Sequence, residues 1–147
     1  MTLKQKEEIV SIARKLIGKP YERGVTPEDA PEKFDCSSFT QYIFKQIGIS
    51  IPRSSVQQAG ETDGHIIDPS TNPDELQVGD LLFMRSSRGH YHDELFGGRR
   101  VYIGHVAMYS GNGMIIHSKK SAGGVIEQTL KELLIDPDYQ IVYIRRF

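Results

Sequence analysis

The sequence predicts an α+β domain, with helices first and a mainly antiparallel sheet after them. Three observations carry this reading. Apolar residues recur at helical spacing in the first third of the chain. Short apolar runs replace that spacing after residue 80, and no strand-helix-strand alternation links them. A Ser110-Gly111-Asn112-Gly113 turn joins two of the later runs, which is a hairpin signal. At 147 residues the chain reads as one domain, residues 1–147, able to bury a core without disulfides or a structural metal.

Each element has a local reason. Thr2 is placed to cap a first helix, with Gln5 completing a capping box. Ile9, Ile12, Ala13, Leu16 and Ile17 form its apolar stripe, which stops at Gly18. Residues 19–33 hold Pro20, Gly24, Pro27 and Pro31 and read as a surface loop. From Cys36, the positions Phe39, Tyr42, Ile43 and Ile47 restore helical spacing up to Gly48, with Asp35 or Ser37 as the cap. Ser54 caps a brief helix through Ala59, and residues 60–73 are polar and turn-rich. A Gly79-Asp80 turn then leads into a strand over residues 81–84, expected at the start of a sheet. Residues 85–100, with three glycines and four arginines, read as a long inserted loop. Strands follow over 101–109 and 114–118, a further one over 125–128, a helical turn over 130–135 and a closing strand over 140–147.

The totals exclude some functions. A formal net charge of -1 gives no long-range attraction for nucleic acid or an anionic membrane surface. Apolar residues at 38% and charged ones at 25% belong to a folded chain. No apolar run approaches the ~18 residues of a membrane span. Residues 1–18 lack the apolar core and cleavage site of a secretory signal. The compartment is therefore open: cytoplasm, export by a dedicated system, or a signal already removed.

Cys36 is the only cysteine, and it stands where loop gives way to helix. The positive end of a helix and its free N–H groups stabilise a thiolate. Free cysteines also pack inertly in cores. Here Asp35, Ser37 and Ser38 mark a polar, accessible place instead. A cysteine nucleophile needs an imidazole to carry its proton and a third group to orient that ring. Of the five histidines, His65 sits in the turn-rich linker, while His90 and His92 form a His-x-His pair in the inserted loop with no third metal ligand at a fixed spacing. Only His105 and His117 fall on predicted strands.

Register decides whether those two meet. A three-residue loop, Gly111-Asn112-Gly113, pairs Ser110 with Met114 and sets His105 opposite Lys119. His117 then becomes the diagonal neighbour of His105 on the same face. A two-residue loop sends the rings to opposite faces unless a bulge restores the parity. The chemistry expected is acyl transfer by the Cys36 thiolate, with His105 as general base and acid and His117 orienting it. The backbone N–H of Cys36, opening a helix, is the natural oxyanion donor.

Five ordered segments extend this: Phe34-Asp35-Cys36-Ser37-Ser38-Phe39, Ile51-Pro52-Arg53-Ser54-Ser55, Val78-Gly79-Asp80-Leu81-Leu82-Phe83, Gly104-His105-Val106-Ala107-Met108-Tyr109 and Met114-Ile115-Ile116-His117-Ser118. In this order the chain resembles the NlpC family of papain-like cysteine peptidases, which cleave peptides of the bacterial cell wall. The likeness runs from about residue 9 to residue 118, and more loosely to the end. It implies a papain-like α+β fold and a Cys-His-His triad of Cys36, His105 and His117. It also implies that the Tyr21 hydroxyl helps hold the oxyanion, since Pro20-Tyr21-Glu22-Arg23-Gly24 looks like the family's Tyr-x-x-Gly segment.

The implied reaction is hydrolysis between γ-D-glutamate and diaminopimelate or lysine in a peptidoglycan stem peptide or muropeptide, with no cofactor. Asp35 and Ser37 are implied to bind a free L-alanine amine. The wall-binding repeats that often accompany the family do not occur in this sequence, which implies soluble fragments as substrate or a targeting partner protein. Val25 and Ser38 stand where glycines are usual, the loop before Cys36 is slightly long, and residues 85–100 are expected to wall one side of the cleft. Two other readings use the same side chains: an amidase or acyltransferase on another amide, and a non-catalytic module or zinc site built from Cys36, His105 and His117.

Overall fold

The computed structural model describes residues 1–87, 89–91, 93–98 and 100–147. His92, half of the expected His-x-His pair, lies outside them. Helix α1 (Leu3–Lys15) opens on a capping box: the Thr2 hydroxyl accepts the Gln5 N–H at 3.1 Å, and the Gln5 side chain accepts the Thr2 N–H at 2.8 Å. Helix α2 (Cys36–Gln46) opens the same way on Asp35. Its carboxylate accepts the Ser38 N–H at 2.9 Å while the Ser38 hydroxyl accepts the Asp35 N–H at 2.9 Å. A glycine at position 38 has no side chain for that second bond, so the departure to serine strengthens the cap beside Cys36. Helix α3 (Ser55–Gly60) is capped by Ser54, as expected.

Among the described residues eight strands follow: β1 (His65–Ile67), β2 (Leu81–Arg85), β3 (His90–Tyr91), β4 (Tyr102–Ile103), β5 (His105–Gly111), β6 (Met114–Lys119), β7 (Gly124–Thr129) and β8 (Gln140–Arg146). Six of them form one antiparallel sheet in the order β1-β8-β2-β5-β6-β7, and β3 pairs with β4. Alternation along the strands builds a core on each face. Leu81, Phe83, Val106, Met108 and Ile116 pack with Phe39, Ile43 and Phe44 of α2. Leu82, Met84, Ala107, Tyr109 and Ile115 pack on the other face with Leu130 and Leu133 of helix α4 (Leu130–Leu134). Full burial of each large apolar side chain stabilises the fold by about 1.5–3 kcal/mol.

The structure corrects several boundaries. Strand β2 lies in the middle of the sheet, not at its start, because Leu81–Met84 is apolar on both faces and both faces are covered. The buried Asp80 carboxylate anchors its entry, binding Arg146 of β8 at 2.7 and 2.8 Å. His65 belongs to strand β1, opposite Arg146, rather than to an irregular linker. That strand is short, at the sheet edge and largely exposed, so it leaves no apolar pattern to read. Residues 85–100 are not all loop: they hold β3 and a 3₁₀ turn at Asp93–Phe96, with Phe96 buried against Tyr143 at 5.1 Å. The strand expected over 101–109 is interrupted at Gly104, whose N–H binds the Met84 carbonyl at 2.9 Å.

The hairpin follows the second of the two expected routes. Gly111 pairs with Met114 across a two-residue turn, with positive φ at Asn112 (53°) and Gly113 (74°). Between Tyr109 and Gly111 the register shifts, so Ser110 is the extra residue of a bulge. Beyond it Tyr109 faces Ile115 and Met108 faces Ile116, the register that a three-residue loop also produces.

A second contact line joins the two ends of the fold. The Gly18 N–H binds the Val125 carbonyl, the Val125 N–H binds the Lys19 carbonyl and the Tyr21 N–H binds the Gly123 carbonyl, each at 3.0 Å. On its other side Pro20 accepts the Phe34 N–H at 3.0 Å. Residues 18–21 are thus held between β7 and the segment leading into α2. Gly124 allows this approach, because a Cβ there collides with the Lys19 carbonyl oxygen. Gly124→Ala is expected to lower stability by roughly 1–3 kcal/mol, the usual cost of forced overpacking, read as an earlier midpoint in urea unfolding.

Candidate active site

Cys36 is the first residue of α2 and lies half-buried in the lining of a cleft of about 790 Å³. Tyr21, Asp35, Ser37, Arg53, His105 and Tyr139 line the same cleft. Three elements therefore deliver its chemistry: the start of α2, the start of β5 and the segment tied to the edge of β7. Ser118 adds a link next to His117, its hydroxyl donating to the Phe34 carbonyl at 3.1 Å.

The histidines meet as the register demands. His105 Nε2 and His117 Nδ1 are 2.7 Å apart, with ring centroids at 5.0 Å. His117 Nε2 lies 2.8 Å from Gln128 Oε1. The ring of Tyr139 stands edge-on to His105 at 5.5 Å. Both histidines are buried, at 6% exposure for His105 and none for His117. Burial, then the nearby His117 and Lys119 charges, holds His105 well below the usual imidazole range. His117 is lowered to about 4, again chiefly by burial, against the opposing bond from Gln128.

Burial pushes Cys36 up to about 11 and the Asp35 charge adds to the rise, while N–H groups of Val106 and Ser37 and the Arg53 guanidinium pull it down. The helix-start N–H expected from the sequence does act on the sulfur, but desolvation outweighs it. Tyr21 is half-buried, and its phenol is raised by burial and by the nearby Cys36 and Asp35 charges.

Asp35 and Ser37 are engaged by the protein itself. Arg53 binds the Asp35 carboxylate at 2.5 Å, the Ser37 hydroxyl at 2.8 Å and the Val25 carbonyl at 2.8 and 3.2 Å. The Gly24 N–H also donates to Asp35, at 3.2 Å. Burial works against the Asp35 charge, yet Arg53 and Ser38 keep its carboxyl below the ordinary carboxylate range. Gln58, fully buried, donates to the Ser37 and Pro52 carbonyls at 2.9 and 2.8 Å and so fastens α3 to the first turn of α2.

Sequence reasoning missed Gln128, Tyr139 and the role of Arg53. Gln128 had a signal: His117 pairs with Ile126, so the residue two further along β7 shares its face. Arg53 was in view as part of a motif without a partner, and nothing local in the sequence marks Tyr139. His65 of β1 pairs with Arg146 of β8 and is not among the cleft-lining residues, and the backbone of His90 in β3 pairs with Ile103 of β4. Among the described residues no group of three His, Cys, Asp or Glu side chains is arranged to hold a metal ion. No helix among them is long and apolar enough to cross a membrane.

Comparison with known proteins identifies the family and agrees with the fold. The sequence profile of the NlpC/P60 family matches residues 18–143. A protein of Corynebacterium glutamicum (strain R) named "Probable endopeptidase" is 35% identical over 124 residues, 84% of this chain and 47% of that protein. A γ-D-glutamyl-L-lysine dipeptidyl-peptidase of Bacillus cereus is 34% identical over 119 residues, 81% of this chain and 30% of that protein. The chain thus spans less than half the length of these two curated relatives. Among solved structures, the NlpC/p60 domain of the peptidoglycan hydrolase SagA superposes with a TM-score of 0.69 at 29% identity, covering 97% of this chain and 98% of that one. With its profile matched across most of the sequence and its fold shared with a solved member, the chain belongs to the NlpC/P60 family.

Proposed function

We propose that this chain is a cysteine peptidase that hydrolyses peptidoglycan stem peptides between γ-D-glutamate and diaminopimelate or lysine. The observation that carries the reading is one cleft lined by a thiol at a helix start and by His105, which is hydrogen-bonded to the buried His117 behind it. The named activities of the Bacillus cereus relative and of SagA support the bond and the polymer. Among the described lining residues the cations Arg23, Arg53 and Lys120 outnumber the one carboxylate, Asp35. Such a cleft favours a peptide carrying free carboxylates, as stem peptides do.

In this mechanism His105 takes the Cys36 proton as sulfur attacks the γ-carbonyl carbon. The oxyanion is held by the Cys36 N–H, one of the first-turn donors that a helix leaves unpaired, and by the Tyr21 hydroxyl. His105 then gives its proton to the leaving amine, and water attacking the thioester releases the glutamyl product. His117 orients His105. A free L-alanine amine would meet Asp35 and Ser37, sharing the carboxylate with Arg53.

Defined muropeptides test the reading. Mass spectrometry of digests is expected to show cleavage after γ-D-glutamate by the wild type. Cys36→Ala and His105→Ala are expected to reduce kcat/KM by at least about 10³-fold, and His117→Ala by roughly 10²-fold. Absence of cleavage of both lysine and diaminopimelate stems contradicts the substrate assignment.

The pH dependence follows from the depressed histidines. A base acts only unprotonated, so a His105 held well below 6.5 keeps its activity until the pH falls through that lower value. We expect the acid limb of kcat/KM to lie below the pH range near 6.5 in which an imidazole of ordinary pKa loses its base form. Stability behaves differently. The unfolded chain binds the His117 proton near 6.5 and the folded one near 4, so the His117 contribution is complete above 6.5 and is lost as the pH falls towards 4. That loss amounts to about 3 kcal/mol at most. Urea unfolding at pH 7 and at pH 4.5 is expected to show a smaller difference for His117→Gln than for the wild type.

A further inference from the structure

The histidine pair does not by itself decide which ring nitrogens carry protons. We propose that Gln128 is a positioning residue that fixes the tautomers of both imidazoles, so that Nδ1 of His105 is the bare nitrogen available as base. The inference deepens the peptidase reading and rests on it.

Three side chains in a row set the protons. The atom of Gln128 facing the ring is Oε1, which only accepts. His117 Nε2, at 2.8 Å, must therefore carry hydrogen. A neutral imidazole has one N–H, so His117 Nδ1 is bare and accepts. The group 2.7 Å from it is His105 Nε2, which must then be the donor. By the same count, His105 Nδ1 is bare. Burial of both rings keeps them in the neutral form to which this count applies.

The reversed order is unproductive. If position 128 presented no acceptor, the His117 N–H would be left unsatisfied in a buried place. Moving that hydrogen to Nδ1 removes the unsatisfied donor, and His117 then donates to His105 Nε2. His105 in turn carries its hydrogen on Nδ1, where it cannot accept one from a thiol. With Gln128 in place the transfer balances. The sulfur–carbon bond forms as the thiol proton moves to His105 Nδ1, and the His105 Nε2–H stays in its bond to His117. That same Nδ1 proton then passes to the amine nitrogen as the amide bond breaks.

The fold holds Gln128 in place. It lies on β7 two residues from Ile126, the partner of His117. Its successor, Thr129, caps α4 by accepting the Glu132 N–H at 3.0 Å. Glu127, on the opposite face, is taken up by Arg14 at 3.2 Å and Ser110 at 2.8 Å.

Imidazole ¹⁵N NMR at neutral pH on the Cys36→Ala protein tests the tautomers without relying on activity, since no thiolate–imidazolium pair can form there. Both rings are expected to be protonated at Nε2, and adding Gln128→Met is expected to give His105 a population protonated at Nδ1. With Cys36 present, Gln128→Met should lower kcat by roughly 10–100-fold at similar KM. Gln128→Glu should recover most of that kcat and move the acid limb of the pH profile upward by about one unit, because a carboxylate favours the imidazolium. Unchanged tautomers in the Met variant, or an unmoved acid limb in the Glu variant, overturns the proposal. The expected NMR pattern in a protein that cleaves no stem peptide leaves the positioning intact and removes the peptidase reading instead.

Discussion

The hydrogen bond between His105 and His117 depends on a single extra residue. A two-residue turn at Asn112-Gly113 alone would place the two rings on opposite faces of the sheet. Ser110, bulged out of the ladder, restores the parity, and its hydroxyl binds Glu127 at 2.8 Å. The same parity carries on to β7, where Gln128 shares the face of His117. Remove the bulge and every side chain beyond it changes faces, apolar and polar alike. The two cores depend on that register as much as the site does, since Met108 and Ile116 belong to one and Tyr109 and Ile115 to the other.

The second constraint is the docking of the α2 start against the sheet. Phe34, fully buried, meets Phe39 and Tyr42 with ring centroids at 5.6 Å, and its carbonyl takes both the Glu22 N–H and the Ser118 hydroxyl. Asp35 caps the helix and binds Arg53, and Gln58 fastens the first turn from beneath. These bonds make the backbone around Cys36 rigid, which suits a site whose donors must already be aimed before charge develops. They also bury the groups that titrate. Burial raises the thiol and lowers both imidazoles, which works against charge separation in the empty cleft and gives weight to the hydrogen bonds that position the rings.

Much of this was legible in the sequence where local rules act alone. Thr2, Asp35 and Ser54 cap the helices that their side chains suggest, and Cys36 stands at the start of α2. The pairing of His105 with His117 followed from counting residues in a turn. What escaped was decided by distant contacts. Strand β1 exists because β8 supplies a partner, not because His65-Ile66-Ile67 alternates. The central place of β2 depends on which strands come to lie beside it, and only its two-sided apolar character hinted at that. The ties of Asp35 and Ser37 to Arg53 escaped because Arg53, many residues away, does not announce its target. Tyr139 reaches the cleft from the turn before β8 for the same reason.

The proposed chemistry requires an acyl group on one sulfur. Rapid acid quench of the protein with an L-alanyl-γ-D-glutamyl-diaminopimelate tripeptide, followed by peptide mass spectrometry, measures it directly. The account predicts a thioester of the L-alanyl-γ-D-glutamyl unit on Cys36 that disappears at neutral pH as free dipeptide accumulates. Turnover of the tripeptide by Cys36→Ala at the wild-type rate, or the acyl group on any other residue, would contradict it.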